Sequence, residues 1–285
     1  MANLKEIRNR IVSVSSTMQI TSAMKMVSAA KLKKAQDAIT AMRPYSEKLT
    51  ELIQSLSASL EGDVAANYTT QREVKKVLVV AITSNRGLCG ALNNNVIKQV
   101  RVLTDIYGHD NIGVFAIGKK ANDGLHKSNY VIANRSDIYD DLTFDNVAEI
   151  AQSLTHLFLD GEYDKIELVY NQFVNAATQN VVNEQFLPLA PIKGGNAISS
   201  DYIFEPSKEE IVLELIPKSL KTQLYKAVRD SFAAEHGARM TAMHKATDNA
   251  TDLRNQLKLT YNKARQAAIT GEILEIVGGA EALNN

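Results

Sequence analysis

Two glycine-containing stretches are the places where this chain could cradle a phosphate. Gly113–Lys120 (GVFAIGKK) nearly matches the pattern GxxxxGK[ST], in which a loop of backbone N–H groups wraps the anion. Between its glycines, however, Val114–Ile117 has the apolar, β-prone character of a strand, and Lys120 stands where a hydroxyl would hold Mg²⁺. The pattern is therefore rejected as a nucleotide site. Ser84–Asn93 (SNRGLCGALN) follows a predicted strand and leads into a predicted helix, the usual position of a ligand loop in an open α/β sheet. It is not GxGxxG and no acid–base pair accompanies it, so a tight structural turn is preferred over a ligand site. Cys89, inside that stretch, has no base in the sequence around it and reads as an inert thiol. His236 and His244 lie two helical turns apart, whereas metal ligands on a helix favour one turn, and neither GxSxG nor HExxH occurs. No catalytic residue, metal site or cofactor is expected.

The elements around these stretches explain the shortage of chemistry. Residues 1–43 contain neither Gly nor Pro, and residues 218–285 contain no Pro, so both ends predict helices of unusual length. Helices that long draw their stability from packing an apolar face, which suggests an antiparallel pair. Leu4, Ile7, Ile11, Val14 and Met18 alternate spacings of three and four, the seam of a coiled coil. Past Met18 apolar residues fall on more than one side, and the strict 3.5-residue period is expected to be lost. The closing helix carries Leu220, Leu224, Val228, then Ala250, Leu253, Leu257, Tyr261, Ala264 and Ala268. Its alanines predict the closest helix approach in this later part, with Gly237 and Gly271 as weak points. The tail Ile269–Leu283 is apolar enough to suggest enclosure by another surface.

Between the helices, Lys76–Thr83, Asn111–Gly118 and Lys165–Phe173 read as buried strands and Val181–Leu189 as an edge strand, with helices at 92–107, 119–128 and 143–160. That alternation predicts an open, mostly parallel α/β (Rossmann-like) sheet. The expected organisation is a helix over 1–60, an α/β domain over 74–195, a Pro- and Gly-rich return over 188–217 and a second helix over 206–285.

Composition excludes several classes. Thirty-two Lys+Arg balance thirty-two Asp+Glu, so no global charge points to nucleic acid. A single cysteine excludes an internal disulfide, and no run has the roughly 18 apolar residues of a membrane span. Charge is nonetheless uneven: the first helix is basic (Lys25, Lys31, Lys33 and Lys34 among others), while 137–164 is acid-rich.

Five blocks go beyond pattern: Ile20–Lys31 (ITSAMKMVSAAK), Ser84–Asn93, Ala238–Met243 (ARMTAM), Ala246–Ala250 (ATDNA) and Tyr261–Ala280. In this order they resemble the gamma subunit family of F-type ATP synthase, from the first helix to the tail. The resemblance implies a non-catalytic central-stalk rotor. Its coiled coil would thread a ring of alternating alpha and beta subunits, and its α/β body would dock with epsilon on the membrane c-ring. It also implies peripheral attachment at the cytoplasmic face of a bacterial plasma membrane. By matching positions, Met24, Lys25, Arg239, Arg265, Gln266, Thr270 and Glu272 are implied contacts with the catalytic ring, and Tyr202 and Glu205 with the c-ring. Each could instead stabilise the coil. Gly271 departs from the family, where a longer polar side chain is common. The runner-up from the residues is an α/β nucleotide-handling enzyme with helical extensions.

Overall fold

A computed structural model describes residues 4–57, 66–128, 130–189 and 208–283. Helix α1 (Leu4–Ser57) has 54 residues and α6 (Lys208–Leu283) has 76, about 80 and 110 Å of helix at 1.5 Å per residue. Between them lie α2 (Ala66–Thr69), β1 (Val77–Ile82), α3 (Leu92–Tyr107), β2 (Ile112–Ile117), α4 (Lys119–Leu125), β3 (Tyr130–Asn134), α5 (Phe144–Leu159), β4 (Lys165–Phe173) and β5 (Gln179–Leu187). The chain divides into two compact units, one of Met1–Ser28 with Met240–Asn285 and one of Ala29–Arg239.

In the larger unit the sheet order is β3-β2-β1-β4-β5, parallel except for the antiparallel edge strand β5. Strand β1 is buried at every residue because its two faces feed two cores. Leu78, Val80 and Ile82 pack with α5 and the Ile216–Val228 stretch of α6, whereas Val77, Val79 and Ala81 pack with α3 and α4. A strand covered on both sides needs a continuous apolar run, which is why VLVVAI was readable as buried. Strand β3 was not expected. It is a half-exposed edge of five residues, YVIAN, too short and too mixed to declare itself by periodicity.

Pro217 lies inside α6, within the stretch expected to be loop-rich. An internal proline forfeits a helix hydrogen bond, but its neighbours Ile216 and Leu220 are buried in the sheet core, and that packing offsets the loss. Gly237, expected to be a weak point, is a notch. A Cβ there would lie 3.2 Å from the Phe173 ring and 3.3 Å from Ala176 Cα, so only glycine lets the end of the β4–β5 hairpin sit against the helix without displacement.

The smaller unit is an antiparallel helix pair. Met18 meets Thr251, Thr21 meets Thr247 and Lys25 meets His244, so each step forward along α1 is a step back along α6. Along α1 in this unit the buried and half-buried positions Leu4, Ile7, Ile11, Val14, Met18, Thr21, Lys25 and Ser28 keep the alternation of three and four, with half-buried Ser15, Ser22 and Met24 flanking that seam. The 3.5-residue period therefore persists past Met18, contrary to the expectation of drift. Apolarity hid it, because hydroxyls take the seam positions. Thr21 and Thr247 share a 2.8 Å hydrogen bond, and the Ser28 hydroxyl donates to the Met24 carbonyl at 2.8 Å. Side-chain burial along α6 falls toward its later part. In this unit the fully buried positions of α6 are Met243 and Ala250, while Leu253 is exposed and Arg254 occupies the half-buried seam position beside it.

Candidate functional site

Both phosphate candidates are consumed by the fold. The amides at the start of α4 point toward the end of β1, where an anion would lie if the stretch were a phosphate loop. Instead Lys119 N donates to Asn85 Oδ1 at 2.9 Å, Lys120 N to the Ser84 carbonyl at 3.1 Å and Ala121 N to Thr83 Oγ1 at 2.8 Å. Gly118 has φ +102°, and a Cβ there would come within 2.1 Å of the Thr83 carbonyl oxygen. That glycine serves close approach of two loops, and Val114–Ile117 is strand, as the sequence indicated.

The Ser84–Asn93 turn sits at the end of β1, next to the point where strand order reverses between β1 and β4. Open α/β sheets bind ligands in that crevice. Here the protein fills it. Asn93 accepts from Ser84 N at 3.0 Å and donates to Cys89 Sγ at 3.2 Å, and Cys89 and Leu92 bury against Ala234 of α6 with Phe173 and Ala238 alongside. Arg239 closes the turn from the helix side. Its guanidinium donates to the Arg86 carbonyl at 3.2 Å and twice to the Gly87 carbonyl at 3.1 and 3.3 Å, while Nη1 donates to Glu235 Oε1 at 2.7 Å. Five donors in a rigid fork let one arginine bind a carboxylate and two carbonyls at once.

Burial dominates the electrostatics of this cluster. It pushes the Glu235 carboxyl above the ordinary carboxylate range, with the charges of Arg239, Lys31 and Arg86 pulling back. His236 is pushed down to about 4, first by burial and then by the Arg239 and Lys31 cations, so its ring is neutral near pH 7. Phe232 meets that ring edge to face at 4.5 Å. The assembly is a strut, with no group poised to exchange protons with a substrate.

The residues implied as partner contacts fall into three environments. Arg239 is only 8% exposed and is committed to the turn. Met24 and Lys25 are half-buried in the helix pair, where Lys25 Nζ lies 3.3 Å from His244 Nδ1. Arg265, Gln266, Thr270 and Glu272 are all exposed, and Thr270 Oγ1 donates to the Gln266 carbonyl at 2.9 Å along the same helix. The helix register sets Leu4 opposite about residue 265, so the four polar positions lie where α1 runs out among the described residues. Tyr202 and Glu205 lie outside the described residues.

Beside the four polar residues runs a stripe that residue-by-residue reading did not select. Ile269, Ile273, Ile276 and Val277 are 46%, 54%, 71% and 55% exposed, at spacings that share one helix face. The signal was the apolar tail itself. A second apolar surface, Ile20, Met26 and Val27, is exposed on α1 off its seam. Among the described residues no cluster of three potential metal ligands occurs, and no helix is long and apolar enough to cross a membrane.

Comparison with known proteins supplies the family. The ATP synthase family model matches residues 3–283. The ATP synthase gamma chain of Flavobacterium johnsoniae is 78% identical over 285 residues, covering all of both chains, and that of Christiangramia forsetii is 66% identical, again over all of both. Among solved structures, a chain of the Euglena gracilis mitochondrial ATP synthase superposes with a TM-score of 0.70 at 22% identity, covering 98% of this chain and 94% of that one. A chain of the Tetrahymena thermophila mitochondrial ATP synthase central stalk and c-ring superposes with 0.63 at 24% identity, covering 80% and 99%. At such identities the two structures speak to fold, while the full-length relatives carry the assignment: the chain belongs to the ATP synthase gamma chain family.

Proposed function

We propose that this chain is the central-stalk rotor of its ATP synthase, carrying rotation of a proton-driven c-ring into a catalytic ring of alpha and beta subunits. The observation that carries the reading is the tip of α6. There a stripe of exposed isoleucine and valine and four exposed polar residues continue past the described start of α1. A lone helix end with that much open apolar surface gains stability only inside a partner. The ring supplies a sleeve for the stripe, and Arg265, Gln266, Thr270 and Glu272 contact its rim. Met24 and Lys25 meet a moving acidic segment of the beta subunit. Arg239 acts one step back, holding the Arg86–Gly87 turn. Tyr202 and Glu205 meet the c-ring, with epsilon docking on the α/β body, and the complex places the chain at the cytoplasmic face of the bacterial plasma membrane.

Coupling in this reading is a matter of differential contact. An asymmetric shaft presents a different surface to each catalytic subunit, and rotation shifts each subunit between open and closed states by the difference in interaction free energy. Two substitutions at one position test it. Met24→Leu keeps a neutral, adaptable contact, whereas Met24→Lys adds a cation where an acidic segment slides past. The extra pair deepens one rotary position by about 1–3 kcal/mol, so hydrolysis slows and its temperature dependence steepens while assembly is unchanged. Equal hydrolysis and proton pumping by the two variants would remove this contact from the reading. At the foot, Tyr202→Ala with Glu205→Ala lowers proton pumping and spares hydrolysis by the detached catalytic sector; equal loss of both would mean that the pair supports the fold.

A further inference from the structure

We infer that Lys25, His244 and Asp248 form a protonation-dependent latch across the helix pair, which holds the Lys25 ammonium while the His244 ring is neutral and releases it when that ring is protonated. His244 Nδ1 lies 3.3 Å from Lys25 Nζ on α1 and 3.6 Å from Asp248 Oδ2 one turn further along α6. The cation comes from α1 and the anion from α6 itself. One nitrogen therefore faces a cation and an anion, and its proton decides between them. In the neutral ring Nδ1 has a lone pair that accepts from Lys25, with the ring proton on Nε2, and the two helices are tied. When a solvent proton adds to Nδ1, the lone pair is gone. The new N–H donates to Asp248 along its own helix, and the imidazolium repels the ammonium it had been holding. The cross-helix tie is replaced by an intrahelical one.

The sign follows from imidazole chemistry: the tie is present while the ring is neutral and is lost when the ring takes up a proton. His244 and Asp248 have side chains 56% and 61% exposed, so the exchange is a small bias that water and salt screen. Its consequence lies in where Lys25 sits. On the reading of Lys25 as a ring contact, the freed ammonium becomes available to an acidic partner surface, so acidification strengthens one rotary position. The latch itself does not depend on that reading.

The test uses the full chain first. The imidazole resonance of His244, assigned by its disappearance in His244→Gln, is titrated by NMR in low salt. Lys25→Met removes the repelling cation and raises the midpoint; Asp248→Asn removes the attracting anion and lowers it, each by about 0.2–0.7 of a pH unit. Midpoints unchanged in both variants would overturn the latch. The second arm is ATP hydrolysis by the reconstituted catalytic sector from pH 8 to 6. Relative to His244→Gln, the wild type changes by about 1.5- to 5-fold across the window, and Lys25→Met abolishes that difference. Midpoints that move while the pH profiles of all three proteins coincide would keep the latch and overturn Lys25 as a ring contact.

Discussion

Helix α6 carries two glycines whose surroundings could hardly differ. Gly237 is enclosed by Phe173 and Ala176, while around Gly271 nothing lies within 4 Å of where a Cβ would be. The contrast extends to the stretches that hold them. From Ile216 to Arg239 the helix is a core element, with Leu220, Leu224, Ala227 and Val228 in the larger apolar core, Ala234 in a smaller one and an internally paired arginine at its end. From Thr251 to Ala280 no position is buried, and all but seven of the thirty residues are exposed. One continuous helix thus joins a stretch that satisfies itself to a stretch that leaves its surface for something else. Mutations should separate the two: in the first stretch they act on the stability of the chain, and in the second they spare it.

The largest expected effect is at Arg239. Replacing it with Met leaves Glu235 buried with its principal cation gone and frees the Arg86 and Gly87 carbonyls, which costs about 3–5 kcal/mol in denaturant unfolding. Replacing Glu235 as well, in Arg239→Met with Glu235→Met, recovers a large part of that loss, since no unpaired charge remains. A double variant as unstable as the single one would mean that the two carbonyl contacts, rather than the ion pair, carry the strut.

Much of the architecture was legible because periodic apolar residues announce themselves. The buried strands follow from continuous apolar runs, the edge strand from alternation and the two terminal helices from seams of apolar residues three and four apart. Arg239 was selected by resemblance, yet its bonds join residues 152 and 153 positions apart, and no spacing rule reveals such a pairing. The coil seam past Met18 was misread for the converse reason: Thr21 and Ser28 are buried by hydrogen bonding, which hydrophobic periodicity does not register. For the tip, the polar residues came from resemblance and the apolar stripe from composition. Neither source shows that they share a helix end beyond the described start of α1, because register is a property of two helices together.

A somewhat smaller effect is expected from pH on the larger unit. His236 is held neutral by burial and by Arg239 and Lys31, at about 4, well below an unfolded imidazole. Its folded form binds a proton less readily than its unfolded form, so acidification favours unfolding. The loss begins as pH falls through the ordinary imidazole range and is complete near pH 4, amounting to roughly 2–3 kcal/mol. In His236→Phe, unfolding between pH 7 and 4 loses this component, and its midpoint denaturant concentration falls less steeply than in the wild type. Parallel pH dependences in the two proteins would show that His236 gains a compensating partner on protonation.

The smallest effects give the sharpest comparison, because one substitution is made at both glycines. In an open helix interior Gly→Ala removes the conformational freedom of glycine in the unfolded chain and stabilises by about 1 kcal/mol. Gly271→Ala should show part of that gain, about 0.5 kcal/mol, as it lies in the last turns of a helix whose end is open. At Gly237 the same propensity gain meets a Cβ 3.2 Å from a ring carbon and 3.3 Å from a backbone carbon. The ring can swing, but Ala176 Cα moves only with the β4–β5 turn, where Asn175 accepts from the amides of Ala177 and Thr178 at 2.9 and 2.8 Å. Overpacking of this kind costs about 1–3 kcal/mol, which outweighs the propensity term and makes Gly237→Ala net destabilising by about 1 kcal/mol. Opposite signs in urea unfolding of the two variants confirm that one helix is core at 237 and open surface at 271. A stabilising Gly237→Ala would mean that the hairpin yields, and that the notch is a consequence of the contact rather than its condition.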